Sequence, residues 1–482
     1  MSSPDFAGKR VVVAGAAVSG LSVARVLLER GARVLVVDAR DDDPVRESLA
    51  PLVAAGAETR LADAESPVDA DLVVTSPGWR PDQPMLVAAQ SGGIEVIGEP
   101  ELAWRLRPGL DAGAHSPWVA VTGTNGKTTT VGMVESILQA AGYRVVAAGN
   151  VGRPLIDVVL DPNPYDVIAV ELSSFQLHWS SEMAPDVGVV LNIAEDHLDW
   201  HGSMAAYATD KAAIWRHGGC QPYNADDPLV TRLALEANDE PHPFTVGPPR
   251  SGGFGVVEGV IVDAMSGWAP GQEAEPERLG GGNRLVDVAD LAVSGPHNIA
   301  NAVAAAAATK VFGLTRTVPW TAVGDGLRAY RPGHHRNELV GQAGGISWID
   351  DSKATNPHAA AASLSAYPSV VWIAGGMLKG ADVAPLVAEH GSRLSGAVLI
   401  GRDRGQIAEA LARHAPDVPV VTVVTDETSG MDEAVQAAAE LAQPGDTVLL
   451  APAAASMDMF RDYAERGDLF AAAVRRIIAH LS

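Results

Sequence analysis

The chain has 482 residues, too many for one hydrophobic core, and about three domains of ordinary size are expected. Its 59 acidic residues against 35 Lys and Arg give a formal net charge of −24, which excludes nucleic acid and anionic lipid surfaces as general partners. One cysteine, Cys220, excludes an internal disulfide, and no apolar run has the length of a membrane span, so a cytoplasmic protein is expected.

From residue 10 to residue 98, short apolar runs alternate with helical stretches at 20–30 and 84–91. Such alternation is typical of a parallel sheet covered by helices. We therefore predict a Rossmann-like α/β domain over residues 1–110. The apolar runs predicted as strands are Val11–Ala14, Val34–Val37, Leu72–Val74 and Ile94–Ile97.

A glycine-containing turn, Gly15-Ala-Ala-Val-Ser-Gly20, follows the first of these strands, and Asp38 ends the second. This spacing is similar to a dinucleotide fingerprint, but Ala17 stands where close approach to a pyrophosphate usually requires glycine. The pattern weakens a nicotinamide interpretation and leaves open another nucleotide or a plain strand-to-helix turn. A second loop, Thr75-Ser-Pro-Gly78, is expected at the same edge of the sheet.

The most informative stretch is Val119–Thr130, in which an apolar strand leads into Gly-Thr-Asn-Gly-Lys-Thr and then a helix. Gly123 and Gly126 permit a tight turn whose N–H groups face phosphate, Lys127 adds a positive charge, and Thr128 offers a hydroxyl to Mg²⁺. Walker A asks for a further glycine where Val121 stands, so an ordinary glycine-rich turn is the alternative. Residues 107–117, rich in Pro and Gly, are predicted to be the linker before this domain.

Three further strands are predicted after the phosphate loop, and polar residues follow two of them. Glu171 ends the second strand, where a carboxylate can bind Mg²⁺, although a surface acid is the alternative. His197 follows the third strand. A lone histidine is usually structural, but this one is on the third successive strand end that carries a polar group, which favours a functional role. We predict a central P-loop ATPase-like α/β domain over residues 111–331, with a hairpin at Gly255–Val262. The three strands are Val145–Ala148, Val167–Val170 and Val187–Leu191.

A third Rossmann-like α/β domain is predicted over residues 332–482. Its first two strands are followed by Asp350–Asn356 and Gly375–Lys379, each of which carries a lysine that can capture an anion or remain solvated. Before this domain, Asn298 and Asn301 lie three residues apart in a predicted helix, where they can read an adenine edge or cap the helix. The predicted strands are Ile346–Ile349, Val370–Ile373, Ala397–Ile400, Val420–Val424 and Thr447–Leu450.

Four segments together resemble the Mur ligase family from about residue 10 to residue 475: Thr122–Thr128, Glu171–Leu177, Asp351–Asn356 and Ala451–Phe460. The first also fits folylpolyglutamate synthases, whereas the other three are most similar to the D-glutamate-adding members. The resemblance implies an ATP-dependent ligase that adds D-glutamate to UDP-N-acetylmuramoyl-L-alanine through an acyl phosphate. It also implies two Mg²⁺ ions, a role in peptidoglycan precursor synthesis and a monomer with UDP-binding, ATP-binding and amino-acid-binding domains.

The resemblance assigns residues to each ligand, with Lys127, His197 and Lys211 as the catalytic set. Lys211 matches the lysine that the family carbamylates; unmodified, it would be a surface lysine. The expected metal ligands are Thr128, Glu171, His197 and carbamylated Lys211. The expected ATP site comprises Gly123, Thr124, Asn125, Gly126, Lys127, Thr128, Thr129, Asn298, Asn301, Arg336 and Asp351. The expected UDP-substrate site comprises Val18, Ser19, Asp38, Arg40, Ser76, Gly78, Asn150 and Gln176. The expected D-glutamate site comprises Thr355, Lys379, Ser456 and Tyr463.

Three positions depart from the family pattern: Ala17 in the first loop, Tyr463 where phenylalanine is frequent, and the insertion at 250–285. The alternatives kept open are another Mur ligase or a folylpolyglutamate synthase-like enzyme with a different amino acid. From other classes, a nicotinamide dehydrogenase is disfavoured by Ala17, and a GTPase switch by the lack of an Asn-Lys-x-Asp motif. A non-enzymatic binding module does not require three domains with polar strand ends.

Overall fold

The structure is a computed structural model that describes residues 4–108, 115–238, 241–250, 252–265, 278–279, 282–293, 295–313, 316–425 and 427–481. The chain divides into two compact units. The first contains Met1–Ile193, Trp200–Leu291 and Ala300–Tyr330, and the second contains Ala194–Asp199, Ala292–Ile299 and Arg331–Ser482. Within the described ranges, no helix combines the length and the apolar character needed to cross a membrane.

The N-terminal domain is built on five parallel strands. They are β1 (Arg10–Ala14), β2 (Arg33–Asp38), β3 (Glu58–Leu61), β4 (Leu72–Thr75) and β5 (Glu95–Gly98), in the order β3-β2-β1-β4-β5. Because β1 lies between β2 and β4, the loops that follow these three strands share one edge of the sheet. The four predicted strands are confirmed, while β3 was missed. The helices are α1 (Val18–Glu29), α2 (Asp43–Ala54), α3 (Pro84–Ser91) and α4 (Glu99–Leu106).

The central domain has a ten-stranded sheet. Its strands are β6 (Trp118–Thr122), β7 (Val145–Gly149), β8 (Val167–Glu171), β9 (Val187–Val190), β10 (Pro222–Asn224), β11 (His242–Phe244), β12 (Phe254–Val257), β13 (Val260–Asp263), β14 (Arg278–Leu279) and β15 (Gly282–Asp287). The order is β14-β15-β13-β12-β11-β10-β9-β6-β8-β7, parallel from β7 to β12 and antiparallel beyond. The predicted hairpin is confirmed as β12 and β13.

Eight helices of the described chain accompany this sheet in sequence. They are α5 (Lys127–Ala140), α6 (Leu155–Val159), α7 (Ser174–His178), α8 (Leu198–His201), α9 (Met204–Ala212), α10 (Pro228–Ala237), α11 (Pro296–Phe312) and α12 (Trp320–Ala329). Helix α5 packs on β6, β7 and β8, so the helix after the phosphate loop rests directly on the core of the sheet.

The C-terminal domain has a six-stranded sheet. Its strands are β16 (Glu338–Ala343), β17 (Ile346–Asp350), β18 (Val370–Gly375), β19 (Leu394–Ile400), β20 (Val420–Thr422) and β21 (Thr447–Leu450), in the order β16-β17-β21-β18-β19-β20. Only β16 runs antiparallel to its neighbour in this sheet, and sequence analysis missed it. The helices are α13 (Pro357–Ser365), α14 (Ala384–His390), α15 (Arg404–His414), α16 (Gly430–Leu441) and α17 (Tyr463–Leu481).

The predicted class, three α/β domains with largely parallel sheets, is confirmed. Two predicted segments fall partly outside the described residues. In the predicted linker, 107–117, residues 109–114 lie outside them, and the remainder forms neither helix nor strand. In the insertion at 250–285, residues 251, 266–277 and 280–281 lie outside them, and the remainder contributes β12, β13, β14 and part of β15.

Candidate active site

Strand order brings the phosphate loop beside two other strand ends. Strand β6 lies between β8 and β9, and its residues Val121 and Thr122 pair with Glu171 and Val190. All three strands are parallel, so the loops that follow them leave the same edge of the sheet. The phosphate loop and Glu171 therefore lie at the same edge of the sheet.

Two glycines in the phosphate loop are required by its backbone and its surroundings. Gly123 has a φ of +155° and Gly126 a φ of +85°, both in a region that residues with a side chain rarely adopt. A Cβ at Gly123 would lie 2.9 Å from the Leu191 Cβ, and one at Gly126 would lie 2.3 Å from the Asn301 Oδ1. Asn301, predicted for the adenine site, is thus packed against the loop itself.

Asn192 and Tyr207 hold the phosphate loop from outside, and sequence analysis assigned neither to the site. The Thr124 N–H donates to the Asn192 main-chain oxygen at 2.9 Å, and the Asn125 N–H donates to the Asn192 Oδ1 at 2.9 Å. The Asn192 Nδ2 donates back to the Asn125 oxygen at 3.1 Å. The Tyr207 hydroxyl lies 3.0 Å from the Thr124 hydroxyl. These bonds fix one side of the loop before any ligand binds.

Two lysines converge on a single carbonyl oxygen of the loop. The Lys127 Nζ donates to the Gly123 oxygen and the Thr124 oxygen, each at 2.9 Å, and the Lys211 Nζ donates to the same Gly123 oxygen at 2.8 Å. Lys211 is only 1% exposed, so the alternative that it is a surface lysine is wrong. Its Nζ also lies 4.6 Å from the centroid of the Tyr207 ring. Two like charges this close repel each other, and the burial of Lys211 strengthens that repulsion.

Glu171 is a buried carboxylate next to the loop. It is 2% exposed, and its Oε1 accepts a hydrogen bond of 2.8 Å from the Asn150 Nδ2. Carboxylate and hydroxyl oxygens are the ligands that Mg²⁺ prefers, so Glu171 and Thr128 have suitable chemistry for a metal bound together with phosphate. Gln176, predicted for the substrate site, uses its Oε1 to accept from the Ser173 N–H at 2.9 Å in a capping box of α7.

The first-domain residues predicted for the UDP substrate lie at or just beyond the carboxyl ends of β1, β2 and β4, with Val18 and Ser19 at the start of α1. The Asp38 Oδ2 accepts from the Ala16 N–H at 2.8 Å, and its Oδ1 accepts from the Arg40 Nε at 3.1 Å. Burial raises the pKa of Asp38, but these bonds outweigh it and hold the pKa below its usual value. A Cβ at Gly15 would lie 2.6 Å from the Ser76 Oγ, so the first and third loops touch. Val18 is 66% exposed, while Ser19 is half-buried and Gly78 exposed.

His197 and Asn298 belong to the second compact unit. The His197 backbone has a φ of +54°, and its Nε2 lies 3.5 Å from the Asp196 Oδ2. The Asn356 Nδ2 donates to that same Asp196 oxygen at 3.2 Å, which joins the predicted histidine segment to the end of the Asp-Ser-Lys-Ala-Thr-Asn motif. Asn298 is 8% exposed, near the start of α11.

Asp351 and Arg336, predicted for ATP, are electrostatically coupled. The Asp351 carboxylate accepts from the Asn337 N–H at 3.1 Å and from the Ser363 hydroxyl. Burial raises the pKa of Asp351 to about 6, although the Ser363 hydroxyl and the nearby Arg336 charge oppose that effect. A cation that came closer, or a ligand that donated to this carboxylate, would lower this pKa again.

Three of the residues predicted for D-glutamate lie on three loops that hydrogen bonds join, and Tyr463 begins α17. Met377 pairs with Ala455, next to Ser456, and Lys379 follows with a φ of +54°. Arg466 is fully buried and donates to Ser352 and Ala454, which belong to the loops after β17 and β21. Sequence analysis missed Arg466 because nothing local in α17 marks it as buried. Thr355 and Tyr463 lie on the same unit, and the Tyr463 main-chain oxygen accepts from the Ser352 hydroxyl at 2.7 Å.

The fold and these strand-end residues define an α/β enzyme with a phosphate-binding loop. Three family models match successive parts of the chain: "Mur ligase MurD-like, N-terminal domain" over residues 9–98, "Mur ligase middle domain" over 121–309, and "Mur ligase, glutamate ligase domain" over 335–454. The chain belongs to the Mur ligase family.

Relatives match along the whole length. The UDP-N-acetylmuramoylalanine–D-glutamate ligase of Thermobifida fusca (strain YX) is 52% identical, over 98% of this chain and 99% of that protein. The protein of the same name from Frankia casuarinae is 53% identical, over 98% of this chain and 95% of that protein. A third, from Streptomyces coelicolor, is 50% identical over 98% and 99%.

Solved structures share the fold at much lower identity. A pseudomurein peptide ligase type C from Methanothermus fervidus matches with a TM-score of 0.57 and 19% identity, over 98% of this chain and 100% of that one. A UDP-N-acetylmuramate-alanine ligase from Thermotoga maritima matches with a TM-score of 0.56 and 19% identity, over 98% and 99%. Both similarities concern the three-domain architecture.

The contact between Gly126 and Asn301 can be tested with a matched pair of glycines. Gly126 and Gly142 have φ values of +85° and +88°, but a Cβ at Gly142 would meet nothing within 4 Å. In both alanine variants, backbone strain destabilises the folded state by about 1–3 kcal/mol. We expect Gly126→Ala to weaken ATP binding by about tenfold or more, and Gly142→Ala to leave it unchanged, as measured by titration calorimetry. Equal ATP affinities in the two variants would contradict this account of the loop.

Proposed function

We propose that this chain joins D-glutamate to UDP-N-acetylmuramoyl-L-alanine and converts ATP to ADP and phosphate. The observation that carries the proposal is the cluster at the phosphate loop, in which the partly buried Lys127 and the buried Lys211 share the Gly123 oxygen near the buried Glu171. The names of relatives about half identical over the full chain support the choice of D-glutamate. The UDP-linked substrate and ATP make the cytoplasm the expected place of reaction.

The reaction has two steps because a carboxylate is a poor electrophile. In the first, an oxygen of the alanyl carboxylate attacks the γ-phosphorus of ATP, the bond to the bridging oxygen breaks, and ADP leaves. In the second, the amine of D-glutamate attacks the carbonyl carbon of the acyl phosphate. The tetrahedral intermediate then expels phosphate and the nitrogen loses a proton, which leaves an amide.

The phosphate loop would supply the positive charge and the hydrogen-bond donors that the first step requires. Lys127 would bind the transferred phosphoryl group, and the N–H groups at the start of α5 would contribute further donors, in the manner of other helix N-termini. Thr128 and Glu171 would hold one Mg²⁺ and His197 a second. These ions would neutralise charge on two anions that must approach each other.

A carbamate on Lys211 fits the electrostatics of its position. In the unmodified form, the buried Lys211 ammonium shares the Gly123 oxygen with the Lys127 ammonium, and the two charges repel. Carbamylation replaces a cation by an anion, so the pair becomes attractive and a carboxylate-like group becomes available to a metal. We therefore keep the family's carbamylated lysine as part of the proposal.

The remaining contacts follow from charge and position. The Asp38, Arg40 and Ser76 loops would bind the uridine diphosphate with Val18, Ser19 and Gly78, while Asn150 and Gln176 would lie near the muramoyl group. Asn298 and Asn301 would bind the adenine, and Arg336 and Asp351 would lie on the ribose and phosphate side of ATP. The Lys379 ammonium and the hydroxyls of Thr355 and Ser456 match the two carboxylates of D-glutamate, with Tyr463 beside them.

Phosphate release from ATP tests which amino acid the enzyme adds. With ATP, Mg²⁺ and UDP-N-acetylmuramoyl-L-alanine present, we expect release to depend on D-glutamate, because its two carboxylates match the Lys379 cation and the hydroxyls. L-Alanine, L-lysine and meso-diaminopimelate serve as controls in parallel. If D-glutamate gives no more phosphate than the blank while another amino acid does, the chain is a Mur ligase of different specificity.

Replacement of Lys211 tests the carbamate. We expect Lys211→Ala to lower kcat by about a hundredfold or more, since a group that supports charge in the transition state is lost. Partial rescue by a short-chain carboxylic acid is expected, because such an acid can occupy the space and replace the carbamate charge. Lys9→Ala, at an exposed lysine, is the control. A fully active Lys211→Ala enzyme would rule out this role.

A further inference from the structure

A cluster of two histidines and an aspartate lies directly beside Lys211 and has no part in the chemistry described above. The Asp210 carboxylate accepts from the His178 Nδ1 at 3.0 Å and from the His201 Nδ1 at 2.8 Å. The His201 Nε2 lies 3.0 Å from the Ser174 hydroxyl. We call His178, Asp210 and His201 the histidine clamp; it joins α7, α8 and α9.

Aromatic side chains surround the His201 ring of the clamp. The His201 side chain is fully buried, and its ring stacks on Phe175 with centroids 5.4 Å apart and an interplanar angle of 8°. Trp200 and Tyr207 pack on it at 4.4 and 5.1 Å. Burial raises the pKa of Asp210, but the hydrogen bonds from both rings outweigh it, so the pKa lies below its usual value and the group is ionised.

Helix α9 connects the clamp to the phosphate loop. Tyr207 and Lys211 are four residues apart and therefore lie on one face of the helix. The Tyr207 hydroxyl contacts Thr124, and the Lys211 Nζ contacts Gly123. Asp210 lies on the adjoining flank, where the histidines hold it. The orientation of α9 about its axis thus decides whether both loop contacts are made.

The hydrogen bonds that link Ser174 to His201 and His201 to Asp210 follow the pattern of a nucleophilic triad. Ser174 is only 2% exposed at the first turn of α7, so a substrate carbonyl has no access to its hydroxyl. The geometry favours a positioning role over a second catalytic activity.

We propose that the histidine clamp positions α9 so that Tyr207 and Lys211 reach the phosphate loop, which makes His178, His201 and Asp210 positioning residues for carboxylate activation. The effect on catalysis rests on the proposed function, whereas the effect on the loop itself concerns ATP binding alone. Loss of the bond between His201 and Asp210 should therefore disturb the loop, while loss of the bond between His201 and Ser174 should not.

Two variants of His201 separate these bonds. An asparagine amide can occupy the place of the Nδ1 donor, so His201→Asn keeps the bond to Asp210 and loses that to Ser174. A glutamine reaches further, so His201→Gln retains a group near Ser174 and loses the donor to Asp210. Both remove the ring from the same aromatic surroundings, so a purely structural role would affect them alike. Thr209→Ala, at an exposed position of α9, is the control.

We expect His201→Gln to have a kcat about tenfold or more below that of His201→Asn, since small displacements of catalytic groups are costly. The KM for D-glutamate should be the same in both, ATP should bind more weakly to His201→Gln, and thermal unfolding midpoints should be similar. Asp210→Ala, which removes both acceptor oxygens, should behave like His201→Gln, and Thr209→Ala like the wild type.

Equal kcat and equal ATP affinity in the two His201 variants, or changes that only follow the unfolding midpoint, would overturn the positioning role. If the wild-type enzyme releases no phosphate in response to D-glutamate, the proposed function fails. The ATP affinities of the two variants still decide whether the clamp positions the loop.

Discussion

The carbonyl oxygen of Gly123 accepts from two lysines, and the rest of the candidate site depends on this arrangement. Gly123 can direct its carbonyl there only because its φ of +155° is open to glycine. Lys127 comes from the helix that follows the loop, and Lys211 comes from α9, far along the chain. A displacement of the loop would break both bonds together, so the backbone of the loop and the positions of the two lysine side chains depend on each other.

The sheet supplies the frame for this arrangement. Because β6 is flanked by β8 and β9, the loop has Glu171 on one side and Asn192 on the other. Asn192 and Tyr207 restrain the loop through hydrogen bonds to Thr124 and Asn125. The loop is therefore ordered when the chain folds, and ligand binding does not have to offset the loss of its conformational entropy. A phosphate loop held in this way needs little reorganisation when an anion binds or reacts.

Sequence patterns predicted the buried strands and the phosphate loop, because apolar runs and glycine spacing are local signals. They missed β3 and β16, edge strands whose residues alternate only weakly between apolar and polar. They also missed β10, β11, β14 and β15 of the central domain, none of which contains a run of four apolar residues. The burial of Lys211, the loop contacts of Asn192 and Tyr207, and the burial of Arg466 depend on residues distant in sequence. A sequence contains no local signal for such contacts. Ligand assignments carried over by resemblance, such as Asn298 and Ser456, stay predictions.

We propose that the phosphate loop activates a carboxylate by promoting the transfer of the γ-phosphoryl group of ATP to it. The most direct measurement uses UDP-N-acetylmuramoyl-L-alanine labelled with ¹⁸O in the alanyl carboxylate, with mass analysis of the released phosphate after turnover with ATP and D-glutamate. Because the attacking carboxylate oxygen leaves with the phosphoryl group, the phosphate should carry one ¹⁸O atom from the substrate. Unlabelled phosphate, formed together with the amide product, would contradict the acyl-phosphate route and the role given to the loop.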